Sequence, residues 1–120
     1  MKDIKTITEN ILLEIGTNPG NKGFYYVVTA IEVIEEDVEY LNCRMRLYTE
    51  IARKYNTTVE RVERAIRHEK QRITTYENLE AFEKYFGVPK MKFTNSEFLG
   101  TLYVRVNQIL REEDGNANKA

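Results

Sequence analysis

Three arginines, Arg61, Arg64 and Arg67, recur at every third residue, with Glu63 among them and the sole histidine, His68, directly after. A guanidinium is a planar fork of donors that stays charged throughout the physiological range. Set on one helix face, such forks bond in pairs to flat acceptors such as phosphate or the O6 and N7 edge of guanine. Each good pair on a base gives about 1–3 kcal/mol of discrimination. Glu63 has two uses in this setting: to accept from a cytosine amino group, or to orient Arg64 or Arg67 through a salt bridge. His68 at an exposed position would donate to phosphate or to a base edge. One histidine excludes a multi-histidine metal site. No Gly-rich phosphate loop, paired nucleophile and base, or metal-ligand spacing accompanies it. The chain is therefore read as no enzyme, with no cofactor, no metal and no small-molecule substrate.

These side chains share a face only if they lie on a helix, and the apolar residues supply that spacing. Val59, Val62 and Ile66, with Ala65 beside them, form an inward stripe at helical period. Arg61, Glu63, Arg64, Arg67 and His68 are left outward, flanked by Glu60, Lys70 and Arg72. Ile51 and Ala52 belong to the preceding helix, where a small residue permits close approach. Asn56 sits at the turn and tolerates the left-handed backbone that a tight helix-helix turn demands. Thr57-Thr58-Val59-Glu60 has the spacing of a capping box that starts the second helix. Two helices around a tight turn, with arginines outward, are how a helix-turn-helix presents its recognition helix, here about 58–72, to the major groove of DNA. Thr57 and Thr58 at the helix start then face phosphate, and Lys70, Arg72, Lys90, Lys92, Asn95 and Ser96 complete the phosphate candidates.

The rest of the chain also reads as helix, which makes the expected fold all-α: a compact bundle of about six helices over residues 1–111, followed by a disordered polar tail, 112–120. Thr6-Ile7-Thr8-Glu9 has capping-box spacing, Ile7, Ile11, Leu12 and Ile15 follow at helical period, and Gly16 is a natural stop. After a Gly/Pro loop, a second helix is expected over about Phe24 to Glu35, with Phe24, Val27, Val28, Ile31 and Ile34 on one face. A short helix over Asp37 to Cys43 should turn Val38 and Leu41 inward. Tyr76 to Phe86 is expected to be helical, and Thr94-Asn95-Ser96-Glu97 opens a last helix striped by Phe98, Leu102, Val106, Ile109 and Leu110.

Charge is distributed unevenly. The net charge is −1, yet residues 44–72 hold 9 Lys/Arg against 4 Asp/Glu, while residues 1–43 hold 3 against 8. The positive charge is concentrated where the helix-turn-helix pattern lies, as a nucleic-acid footprint requires. A solvated face laced with Glu/Arg pairs would give the same tally. A lone cysteine, Cys43, forms no intrachain disulfide and fits a reducing compartment. The most apolar stretch, Phe24 to Ile34, is too short and too interrupted to span a bilayer, and the N-terminus lacks the apolar run of a signal peptide. The expected location is the cytoplasm, without a membrane partner.

The run Tyr55-Asn56-Thr57-Thr58, followed by Arg61-Val62-Glu63-Arg64-Ala65-Ile66-Arg67-His68, resembles the C-terminal effector domain of the stage zero sporulation protein A family, response regulators of spore-forming bacteria. Glu14-Ile15-Gly16, Lys22-Gly23, Phe86-Gly87 and Thr94-Asn95-Ser96-Glu97-Phe98 agree with it, over about residues 7 to 110. The resemblance implies an all-helical transcription regulator that binds double-stranded operator DNA, often as tandem copies that permit a homodimer on adjacent sites, and that contacts the sigma subunit of RNA polymerase. It implies base reading by Arg61, Glu63, Arg64, Arg67 and His68. The chain departs from the pattern in a shorter stretch between Gly87 and Thr94, and it opens where the effector domain opens, so no receiver domain is expected. That expectation and the acidic first third support one rival reading, an interaction protein that pairs with a full-length relative or with polymerase without reading DNA.

Overall fold

In the computed structural model, residues 3–73, 79–87 and 94–118 are described. They form six helices: α1 (Ile4–Glu14), α2 (Lys22–Glu36), α3 (Arg44–Tyr55), α4 (Val59–Ile73), α5 (Leu79–Phe86) and α6 (Asn95–Asn118). A 3₁₀ turn, Val38–Asn42, joins α2 to α3. No strand occurs among the described residues, so the all-α reading holds.

The organising element is α2, which packs against α1, α3, α4 and α6. Its sequence spacing predicted one apolar face. Tyr26, Ala30 and Val33 are buried as well as Phe24, Val27, Val28, Ile31 and Ile34. A helix apolar on most sides is one that neighbours surround, and the β-branched residues, which elsewhere favour strands, here fill the space between four helices. α6 crosses α1, α2, α4 and α5 with Phe98, Leu99, Leu102 and Val106 buried. The small α5 is held by ring stacking, Phe82 on Phe86 at 4.6 Å and Phe86 on Phe98 at 5.6 Å between centroids.

Several local expectations shift. The first helix begins at Ile4, capped by Asp3, whose carboxylate accepts from the Thr6 amide at 2.8 Å. Thr6, the expected cap, lies inside α1, and Thr8 is buried with its hydroxyl donating to the Ile4 carbonyl. Asp beats Thr as a cap here because it adds negative charge at the positive end of the helix. Val38 is 53% exposed rather than inward, since the 3₁₀ turn gives it three residues per turn and no helical stripe to join. Residues 112–118, read as disordered tail, continue α6. Tyr76 to Asn78, the expected start of α5, lie outside the described residues.

Glu14 ties α5 to the end of α1: it accepts from the Lys84 ammonium at 2.9 Å and from the Tyr85 hydroxyl. The Tyr85 hydrogen bond and then the Lys84 ammonium hold the Glu14 carboxyl below its ordinary pKa. A carboxyl depressed in the folded state contributes stability above its unfolded pKa and loses it as pH falls through the folded one. Amide protection in α5 should therefore fall as acid titrates Glu14, and a Glu14→Gln variant should show no such step. Hydrogen exchange read against pH checks this.

Candidate nucleic-acid interface

The turn between α3 and α4 is built as its residues dictate. Asn56 takes the left-handed conformation, φ 52° and ψ 53°, and is the one described non-glycine residue with positive φ. The Thr57 amide then closes onto the Ala52 carbonyl at 2.9 Å. The cap differs by one residue from the expected box. Thr58, not Thr57, is the N-cap of α4, and its hydroxyl accepts from the Arg61 amide at 3.2 Å. Glu60 is exposed and is not the reciprocal partner. Tyr55 anchors the end of α3 to α2, its ring edge-on to Tyr26 at 5.0 Å and its hydroxyl 2.7 Å from the Thr29 hydroxyl.

On α4 the inward stripe is Val62, Ile66 and Ile73, each fully buried, with Glu69 between the last two at 3% exposure. Glu69 was not foreseen. Its position on the apolar face was legible, but as a charged residue it reads as surface. Its carboxylate accepts from the Asn21 amide at 2.8 Å. Asn21 is the N-cap residue of α2 yet makes no side-chain bond to its own helix. The buried carboxylate thus lies beside the first turn of α2, where unsatisfied amides favour negative charge. Close approach at this point depends on Gly23. A Cβ there would stand 2.5 Å from the Ala65 carbonyl oxygen and nearer still to the Glu69 side chain.

The opposite flank of α4 is set by α6. Thr94 and Glu97 form the expected capping box, the Thr94 amide donating to Glu97 at 2.8 Å and the Glu97 amide to the Thr94 hydroxyl at 3.0 Å. Asn95, a phosphate candidate from sequence, is buried, and its amide donates to the Glu63 carbonyl at 3.3 Å. That bond braces α4, and burial leaves the Asn95 side chain little open to solvent. Tyr48 of α3 is buried at the same junction. Burial raises its hydroxyl pKa, and the neighbouring Asn95 side chain opposes that rise in part.

The outward face holds the five predicted base readers. Arg61, Arg64 and His68 are exposed, and their side chains have no hydrogen bond or ion pair among the described residues. Glu63 and Arg67 are half-buried and joined, one Arg67 nitrogen donating to both carboxylate oxygens at 2.8 and 2.9 Å. The structure thus realises the salt-bridge use of Glu63. Lys70 is half-buried, and burial, then the Arg67 charge, lowers its ammonium pKa. Arg72 and Thr58 are exposed, Thr57 and Ser96 half-buried. Lys90 and Lys92 lie outside the described residues. Among the described residues no group of three or more His, Cys, Asp or Glu is placed to hold a metal ion, and no helix is long and apolar enough to cross a membrane.

A capped helix seated on a buried stripe, set off by a left-handed turn and braced at both flanks, has the geometry of the second helix of a helix-turn-helix. The family model described as sporulation initiation factor Spo0A C terminal matches residues 8–106, and the chain belongs to that family. It is a family of DNA-binding effector domains and not an enzyme family.

The contact at Gly23 gives a direct test of how α4 is held. Gly23→Ala should lower the unfolding free energy by about 1–3 kcal/mol, the range for overpacking a filled interior. Urea denaturation checks it, and an unchanged midpoint would show that α2 and α4 have room to separate.

Proposed function

We propose that this chain binds double-stranded DNA in a sequence-specific manner, with α4 in the major groove and Arg61, Glu63, Arg64, Arg67 and His68 facing the base edges. One observation carries the reading: α4 is buried along one side, while Arg61, Arg64 and His68 stand exposed and unpaired on the other. Arginine side chains left without protein partners are available for a ligand, and planar paired acceptors suit them best. The Glu63–Arg67 pair does not count against this. A partly exposed pair spaced by four residues contributes only about 0.3–0.5 kcal/mol. A bidentate guanine contact gives about 1–3 kcal/mol and would draw Arg67 away at small cost. Regulation of transcription, a second copy on an adjacent site and contact with the sigma subunit are the partnerships this reading carries with it.

Duplexes selected by the protein from a random pool supply the probe. Arg64→Ala should cut the preference for a selected duplex over its scrambled counterpart by roughly five- to a hundredfold, the equivalent of one lost bidentate contact. Its salt dependence should change little beside that loss. Fluorescence anisotropy across a salt series measures both quantities. A wild-type protein that binds selected and scrambled duplexes alike would contradict the proposal and favour the interaction-protein reading.

A further inference from the structure

Beside the turn of the helix-turn-helix lies a groove of about 210 Å³ that sequence reasoning did not single out. Its polar lining comes from Lys22 and Tyr25 in the first turn of α2, Asn56 and Thr57 in the turn, and Arg61 in the first turn of α4. Two aromatic residues, Tyr26 and Tyr55, complete the wall, and their edge-on contact together with the Tyr55–Thr29 hydrogen bond keeps that wall fixed. No carboxylate lines this groove, in a chain where acids outnumber bases. A neighbouring hollow of about 290 Å³, also bounded by Tyr55, carries Glu32 and Glu36 beside Lys54. The two hollows differ in the charge of their lining: carboxylates line the second and none lines the first. Lys22, Thr57 and Arg61 make no side-chain hydrogen bond or ion pair among the described residues, so the groove holds two free cations and a free hydroxyl.

We propose that this groove seats one backbone phosphate of duplex DNA, held by the Lys22 ammonium and the Thr57 hydroxyl, with Arg61 as its far lip. The inference rests on the DNA-binding reading above and adds to it a contact from outside the helix-turn-helix. Lys22 can serve in this way because of where packing places its backbone. It directly precedes Gly23, where α2 meets the Ala65 carbonyl, so the lysine stem starts beside α4. Thr57 is fixed by the hydrogen bond from its amide to the Ala52 carbonyl and by the left-handed Asn56 before it. A phosphate between them would flank the base pairs read by the start of α4. Such a contact sets register and supplies affinity without carrying sequence information.

The test uses the full chain, a selected duplex, its scrambled counterpart, and versions of the selected duplex carrying one neutral methylphosphonate at each position in turn. Lys22→Ala should weaken both unmodified duplexes equally, by about two- to tenfold, and reduce the slope of log affinity against log salt by about 0.9. At one backbone position the methylphosphonate should weaken wild type but not Lys22→Ala. Lys22→Arg should keep most of the wild-type affinity and slope. Lys54→Ala, an equal loss of charge beside Glu32 and Glu36, should reproduce neither effect. If Lys22→Ala matches wild type in affinity, slope and methylphosphonate pattern, the groove holds no phosphate while the DNA-binding reading stands. If Lys54→Ala reproduces the loss in full, the effect is one of overall charge and the seat is refuted. A wild type that binds no duplex removes both.

Discussion

Everything that presents α4 to a ligand depends on the approach of the first turn of α2 to the middle of that helix. Gly23 permits it, since a side chain there would meet the Ala65 backbone. Glu69 and Asn21 secure it with a bond of 2.8 Å between a buried carboxylate and an amide. A buried carboxylate without a partner would be costly, and one oxygen, Oε2, has no partner among the described residues. What offsets the burial is the Asn21 amide and the positive end of α2. The contact fixes both rotation and depth of α4, because Val62, Ile66 and Ile73 are buried on the same side.

The second flank works differently. At α6 the bracing is neutral: the Asn95 amide on the Glu63 carbonyl, at a helix start made rigid by a reciprocal cap. Between these two supports the outward face divides into a paired edge and a free edge. Glu63, Arg67 and Lys70 lie on the α6 side among mutual charges. Arg61 and His68 lie toward α2, where Lys22 joins them: Arg61 bounds the groove at the turn, and His68 shares a second hollow with Asn21 and Gly23. Within the acidic first third of the chain, Lys22 lies beside α4, while the carboxylates of Glu32 and Glu36 open on a different hollow.

Much of this was legible in the residues themselves. The apolar period gave the helices, Asn56 gave the turn, and the Thr94 and Glu97 pair gave the start of α6. Where the reading went astray, a local signal was overridden by a neighbour. Thr6 and Glu9 have capping-box spacing, but Asp3 lies in reach and carries charge. Thr57 and Glu60 have it too, but the left-handed residue at 56 moves the cap to Thr58. Asn95 read as a free polar group at a helix start because nothing in its own sequence neighbourhood shows that Glu63 faces it. Glu69 and Lys22 share that limitation, since the relation between them and α4 is tertiary.

The central claim is that the outward face of α4, set by α2 and α6, is the surface that meets DNA. Backbone amide shifts followed by nuclear magnetic resonance while a selected duplex is added test it most directly. The largest changes should fall on residues 56–72 and on 21–23, with α1 and α5 little affected. Changes gathered on α1 or α5, with α4 unmoved, would contradict the account.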